Sequence, residues 1–287
     1  MRLLPLLIAA LPLTAQADPL TIVTDIPPVQ SLVSQVIGDR GTVEVLLDPN
    51  ADPHHFQLRP SQSRMIAKAD LLIWISEGMT PWLDRARKGI GADVAHLPLL
   101  EEDIHSDTDE EEVGHHHEDP HLWLDTHEAI EMVYRIEHLL SDMDPDGAAS
   151  YSANADQAAE RIEALTAEVS ALLADVQVVP FAVTHDGYRY FVRQFGLSQA
   201  GSLTDIHDSP ASVKTVSKLA QMTQSGEIAC VFGEIGESNK LAQVLVEQGA
   251  RKGRDLDPAG IAIERGPELY QTLIREMAAS LKDCLSN

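Results

Sequence analysis

The chain has 287 residues and a mass of 31.3 kDa, with 44% hydrophobic and 23% charged residues, enough for two modest domains or one large α/β domain around a substantial core. Its 21 Lys and Arg face 45 Asp and Glu, a formal net charge of −24. A chain this acidic is repelled by nucleic acid and by anionic membrane surfaces and attracts cations, which excludes DNA or RNA binding.

The first predicted element is a targeting segment. Met1-Arg2 carries one positive charge, Leu3 to Leu13 is apolar apart from its prolines, and Ala15-Gln16-Ala17 is an A-x-A cleavage site. Residues 1–17 therefore read as a signal peptide, with a mature chain starting near Asp18. No Cys follows the cleavage site, which argues against a lipid anchor, and no later segment has the roughly 18 apolar residues of a membrane span. The expected location is an extracytoplasmic space, most simply a bacterial periplasm.

Strands are expected at Leu20 to Thr24, Val43 to Leu47 and Leu71 to Ile75, with helix-like stretches between them. Glu101 to Asp119 is a low-complexity segment of ten acidic residues, four histidines (His105, His115, His116, His117) and no Lys or Arg. It lacks the apolar surface to order itself, and its interleaved imidazoles and carboxylates suit loose, exchangeable binding of a divalent metal. A helix from about Thr126 to Leu140 follows. Ala148 to Ala174 has no Gly or Pro, and Ala158, Ile162, Leu165, Val169 and Leu172 recur by four and three, the face of a long amphipathic helix. At about 27 residues it would run roughly 40 Å and join two lobes, residues 18–147 and 176–287, as the connecting helix 148–175.

Beyond it, Val178 to Thr184, Ile228 to Phe232 and Ile261 to Ile263 read as strands, so both halves alternate β and α, the pattern of helix-flanked, mainly parallel sheets. The C-terminal helix presents Leu269, Leu273, Met277, Leu281 and Cys284 on one face. Cys230 and Cys284 are the only cysteines, and in an oxidising compartment they are expected to form a disulfide. No C-x-x-C spacing supports a metal role for them.

Among the twelve histidines, three sit in distinctive settings: His54 in Pro53-His54-His55-Phe56-Gln57-Leu58-Arg59-Pro60-Ser61, His121 in Asp119-Pro120-His121-Leu122-Trp123-Leu124, and His185 directly after a strand in Thr184-His185-Asp186. Asp257 lies in Leu256-Asp257-Pro258-Ala259-Gly260. Ligands gather at the carboxyl ends of strands in open α/β sheets, and three imidazoles with one carboxylate suit zinc. Spacing alone does not link these scattered residues, nor choose between His54 and His55. Elsewhere, His127-Glu128 begins like the zincin H-E-x-x-H but has Glu131 where the second His belongs. His127 is at most a candidate supporting residue, Gly89-Ile90-Gly91 reads as a turn, and His96, His138 and His207 read as surface or structural.

Taken in order, PHHFQLRPS, DPHLWLD, THDGYRYFVRQFGL and LDPAG resemble the metal-binding signature of the solute-binding proteins of bacterial zinc and manganese ABC importers, including the acidic His-rich segment before the second motif and the cysteine pair. The resemblance spans the whole mature chain. It implies two α/β lobes joined by one long helix, with metal in the interlobe cleft, and it assigns His54 (not His55), His121, His185 and Asp257 as ligands. In some zinc-type members water or another carboxylate replaces the aspartate. Manganese-type relatives carry Glu at the third position, so His185 favours Zn²⁺. One departure is Phe232-Gly233-Glu234-Ile235-Gly236-Glu237, where the family more usually has a proline-containing turn.

The resemblance thus implies a monomeric, non-enzymatic carrier that binds Zn²⁺ in the periplasm and delivers it to a membrane ABC permease and its ATPase, with a periplasmic zinc chaperone as a further candidate partner. The competing readings are a manganese-type carrier, a stand-alone periplasmic zinc buffer, and a zinc hydrolase. The hydrolase would need an open coordination position and a general base, and no motif supplies the latter.

Overall fold

A computed structural model describes residues 19–90, 94–100, 119–207 and 209–286. The expected signal peptide, the segment of residues 101–118 and Gly91 lie outside them. Two four-stranded sheets are formed, with orders β2-β1-β3-β4 and β6-β5-β7-β8, and every strand pair is parallel. The first contains β1 (Leu20–Thr24), β2 (Gly41–Val45), β3 (Leu71–Trp74) and β4 (Ala95–Pro98), with α1 (Pro27–Ile37), α2 (Pro60–Ile66), α3 (Pro81–Ile90) and α4 (Thr126–Met143). After α5 (Ala148–Leu173) come β5 (Phe181–Val183), α6 (Arg189–Phe195), β6 (Gln199–Ser202), α7 (Val213–Gln224), β7 (Cys230–Phe232), α8 (Lys240–Glu247), β8 (Arg251–Lys252) and α9 (Leu269–Leu285).

The two sheets share one logic. β1 and β5 are central, and the chain leaves each toward one neighbour and returns on the other side, which opens a crevice at the strand carboxyl ends. In the first sheet this point is filled by Asp25, fully buried, which accepts hydrogen bonds from Ile26 N (2.8 Å), Ile75 N (2.9 Å) and Thr80 Oγ1 (3.4 Å). In the second it is occupied by Thr184 and His185.

α5 is a single 26-residue helix. Tyr151, Ala155, Ala158, Ile162, Leu165, Val169 and Leu173 on its inner face are all completely buried, in a cluster that also takes in side chains from α1, α4 and α9 and from both sheets. The two lobes therefore share one continuous core. No helix among the described residues is long and apolar enough to cross a membrane.

Several expected boundaries shift for identifiable reasons. β5 begins only after Pro180, which has no N–H to enter a ladder, and Val178 is exposed. β2 is assigned to Val45, but Leu46 N and Leu47 N still bond Thr24 O (2.9 Å) and Asp25 O (3.1 Å). Ile261 to Ile263 is a turn and not a strand: the Asp257 carboxylate captures the N–H groups of Ile261 and Ala262 (both 2.9 Å), which are then lost to any sheet. The edge strands β4, β6 and β8 were not foreseen. They are short, carry Pro, Gly or charge, and have no buried apolar run to announce them.

Cys230, in central β7, is joined to Cys284, in α9, which ties the C-terminal helix to the second sheet.

Candidate metal centre

Three loops converge between the lobes. The first runs from β2 to α2 and carries His54. Side chains pin it: Trp82 Nε1 donates to Pro53 O (2.6 Å), Gln62 Nε2 to Leu46 O (2.7 Å), and Phe56 packs edge-on against Trp82. Asp52 divides its carboxylate between the two adjacent histidines. Oδ1 accepts the His54 N–H (2.7 Å), whereas Oδ2 bonds the His55 ring at Nδ1 (2.7 Å). His55 is thereby turned to solvent, and it is the His54 ring that faces inward.

The second loop is Asp119-Pro120-His121, entering the 3₁₀ turn Leu122–Leu124. Asp119 Oδ1 accepts both the His121 N–H (3.1 Å) and the ring Nδ1–H (2.7 Å). The second bond fixes the tautomer, because a proton on Nδ1 places the ring's lone pair on Nε2, the nitrogen that can then ligate. Burial pushes the Asp119 carboxyl up, but the hydrogen bond and charge of His121 hold it below the usual carboxylate range. Trp123, fully buried, stacks obliquely on the His121 ring at 5.3 Å between centroids and donates Nε1–H to Pro258 O (2.8 Å).

The third segment is Thr184-His185, directly after β5, anchored by Thr184 N to Phe232 O at 2.9 Å. Together these loops bring His54, His121 and His185 into one group whose ligand-capable nitrogens all lie within 4.8 Å of one another. Ring centroids are 5.4 Å apart for His54–His121, 5.5 Å for His54–His185 and 5.1 Å for His121–His185. His121 Nε2 and His185 Nε2 are 3.3 Å apart. Two nitrogens at the usual Zn–N length of about 2.0–2.1 Å, placed on a tetrahedron, are separated by about 3.3–3.4 Å. The spacing fits a shared ion.

Asp257 is not part of that group. Its carboxylate is buried with both oxygens engaged by backbone N–H, and desolvation raises its pKa against the pull of those bonds. Of the other described histidines, His96 meets Arg87 (3.1 Å), His127 is exposed beside Gln194 (3.3 Å), and His138 is exposed beside Glu137 (3.4 Å). The 232–237 departure makes its turn with Gly236 at φ +93°, and Tyr188 donates to the buried Glu234 (2.7 Å). Sequence reading missed Asp52 and Asp119 as the residues that orient the histidines. Their signal was present: Asp-Pro-His occurs twice, at 52–54 and 119–121, and in both copies the aspartate accepts the histidine N–H.

With this geometry in place, the chain matches the family described as zinc-uptake complex component A, periplasmic, over residues 22–284. It belongs to that family. It is 37% identical to the high-affinity zinc uptake system protein ZnuA of Paracoccus denitrificans over 314 aligned positions, covering 96% of this chain and 94% of that one. The ZnuA of Brucella suis is 31% identical, with 92% and 91% covered. Among solved structures, a zinc-bound ZnuA lacking residues 138–173 of its own sequence superposes with a TM-score of 0.79 at 25% identity, covering 94% of this chain and 99% of that one. The periplasmic zinc-binding protein TroA of Treponema pallidum shares the fold, with a TM-score of 0.78 at 16% identity over 93% and 99% of the two chains.

Proposed function

We infer that this chain is the periplasmic solute-binding component of a zinc importer. In this reading Zn²⁺ is cargo, held by His54 and His121 from one lobe and His185 from the other and delivered to an ABC permease driven by its ATPase. The observation that carries the reading is the convergence of three imidazoles at the lobe boundary. An all-nitrogen set suits zinc better than the harder manganese ion, and family membership supports transport over hydrolysis. Because the ligands come from loops of both lobes, bound metal fixes those loops against one another, and a permease that recognises the loops so ordered would distinguish loaded from empty carrier. The segment with His105, His115, His116 and His117, which leads directly into Asp119, would gather zinc weakly and raise its concentration beside the site.

Metal titration of the mature protein tests the reading. Wild type is expected to bind one Zn²⁺ tightly and Mn²⁺ much more weakly, and His121→Ala is expected to abolish tight binding. Wild-type zinc affinity in that variant would end the three-histidine assignment.

A further inference from the structure

We propose that Asp257 is a positioning residue for the zinc site and not one of its ligands: its carboxylate closes the 257–262 turn, and that turn buttresses the loops that present His54 and His121. The proposal rests on the three-histidine reading above.

The geometry begins at the carboxylate. Oδ1 accepts from Ile261 N and Oδ2 from Ala262 N, both at 2.9 Å, while Gly260 at φ +63° reverses the chain between them. Two strong main-chain donors on one carboxylate leave it little reason to turn to a cation, and they hold the segment in a form that presents the Pro258 and Ile261 carbonyls to partners outside it. Those groups are taken by the ligand loops. Pro258 O accepts Trp123 Nε1–H (2.8 Å), two residues from His121. Ile261 O accepts Asn50 N–H (3.3 Å), four residues before His54 on the same loop. Arg265, just past the turn, donates to Leu47 O (2.5 Å) at the start of that loop. On the other side, Tyr270 at the start of α9 donates to Trp123 O (2.8 Å).

Thus one carboxylate organises a turn, and the turn holds two of the three histidine-bearing loops from the opposite lobe. Opening it would leave every ligand present while freeing the loops that aim two of them. Affinity should fall because ordering those loops would then have to be driven by the ion, and the dissociation rate should rise.

A ligand role and a positioning role predict different results. Asp257→Asn and Asp257→Ala are compared with wild type and with His121→Ala, using zinc competition titration, stopped-flow zinc release into excess chelator, and the visible spectrum of the Co²⁺-loaded protein. Positioning predicts about 10-fold weaker binding, the scale seen for residues that orient ligands, with faster release and an unchanged Co²⁺ spectrum. It also predicts that Asp257→Ala costs less in a Trp123→Phe background, because that change already cuts the tie from the turn to His121; two such effects acting through one contact are not additive. A ligand role predicts a shifted Co²⁺ spectrum and a full, additive loss, and that result overturns the proposal. Unchanged affinity and release in both Asp257 variants also overturn it. Should His121→Ala bind zinc like wild type, the three-histidine reading itself has failed, an outcome distinct from either.

Discussion

Replacing Asp119 by Asn removes one charge and almost nothing else. The Asn side-chain oxygen still accepts the two hydrogen bonds that Asp119 Oδ1 takes from His121, at 2.7 and 3.1 Å, so the ring keeps its orientation and tautomer. What is lost is a negative charge separated from the ion by one hydrogen bond and the width of an imidazole, about 6–7 Å in all when the metal sits at the usual Zn–N distance. At an effective dielectric of about 20, a dication and a carboxylate at that separation attract by about 5 kcal/mol, an upper limit because water and neighbouring dipoles relax when the charge is removed. Carboxylates bonded to metal-bound imidazoles are worth about 10- to 100-fold in affinity, or about 1.4–2.7 kcal/mol, and that is the loss expected here. Asp119→Ala, which also frees the ring, should lose more. The assay is competition against a chromogenic chelator near pH 7.5, where Asp119, held below the usual carboxylate range, is ionised. If Asp119→Asn binds zinc within twofold of wild type, the charge at 119 does not tune the site and the reasoning fails.

Reducing Cys230–Cys284, which closes a loop with a sequence separation of 54, is expected to lower stability by about 4 kcal/mol on the chain-entropy model while the metal-free protein retains its three-histidine site. Denaturant melts with and without reductant, followed by zinc titration, check both halves of that statement. Asp25, whose pKa burial raises from 3.8 to about 6, holds its proton more tightly folded than unfolded, so its contribution to stability declines as pH rises from about 4 to about 6. Across that window the metal-free wild type should lose about 3 kcal/mol relative to Asp25→Asn; a difference between the two that does not change with pH would count against the assignment. Deleting residues 102–118 should leave one tight zinc per chain but reduce weakly bound ions and slow loading at low zinc, and a deletion with unaltered stoichiometry and loading rate would make the segment a passive insertion.

The two-sheet architecture was legible because three of its four central strands, β3, β5 and β7, are continuous apolar runs and α5 has an uninterrupted helical face, signals that burial on both sides imposes. The edge strands β4, β6 and β8 were not, since a strand such as Arg251–Lys252 exists only because β7 offers it a partner. At the site, residue types suggested the chemistry, and the resemblance singled out His54 over His55. The physical reason for that choice is Asp52, which draws His55 outward. Asp257 marks the sharper limit. The resemblance assigns it as a ligand, and nothing in its sequence neighbourhood tells that its oxygens accept the N–H groups four and five residues downstream.

The contrast between core and loops explains how one molecule can both hold and surrender an ion. α5 and the helices packed on it bury a common apolar cluster that runs from one lobe into the other, so bending at the connector would expose side chains now fully buried, each worth about 1.5–3 kcal/mol when removed from water. The histidines are held differently. His54, His121 and His185 sit on loops held by sets of hydrogen bonds such as Trp82 to Pro53, Trp123 to Pro258 and Thr184 to Phe232, each worth about 0.5–1.5 kcal/mol net. Many such bonds acting together pre-order the nitrogens, so the ion does not bear the full entropy of arranging them. Yet each bond is individually weak, so displacing one loop gives up only a few of them. Movement confined to the loops therefore requires far less free energy than separation of the lobes, and displacing even one of the three nitrogens leaves an ion that the remaining two hold poorly.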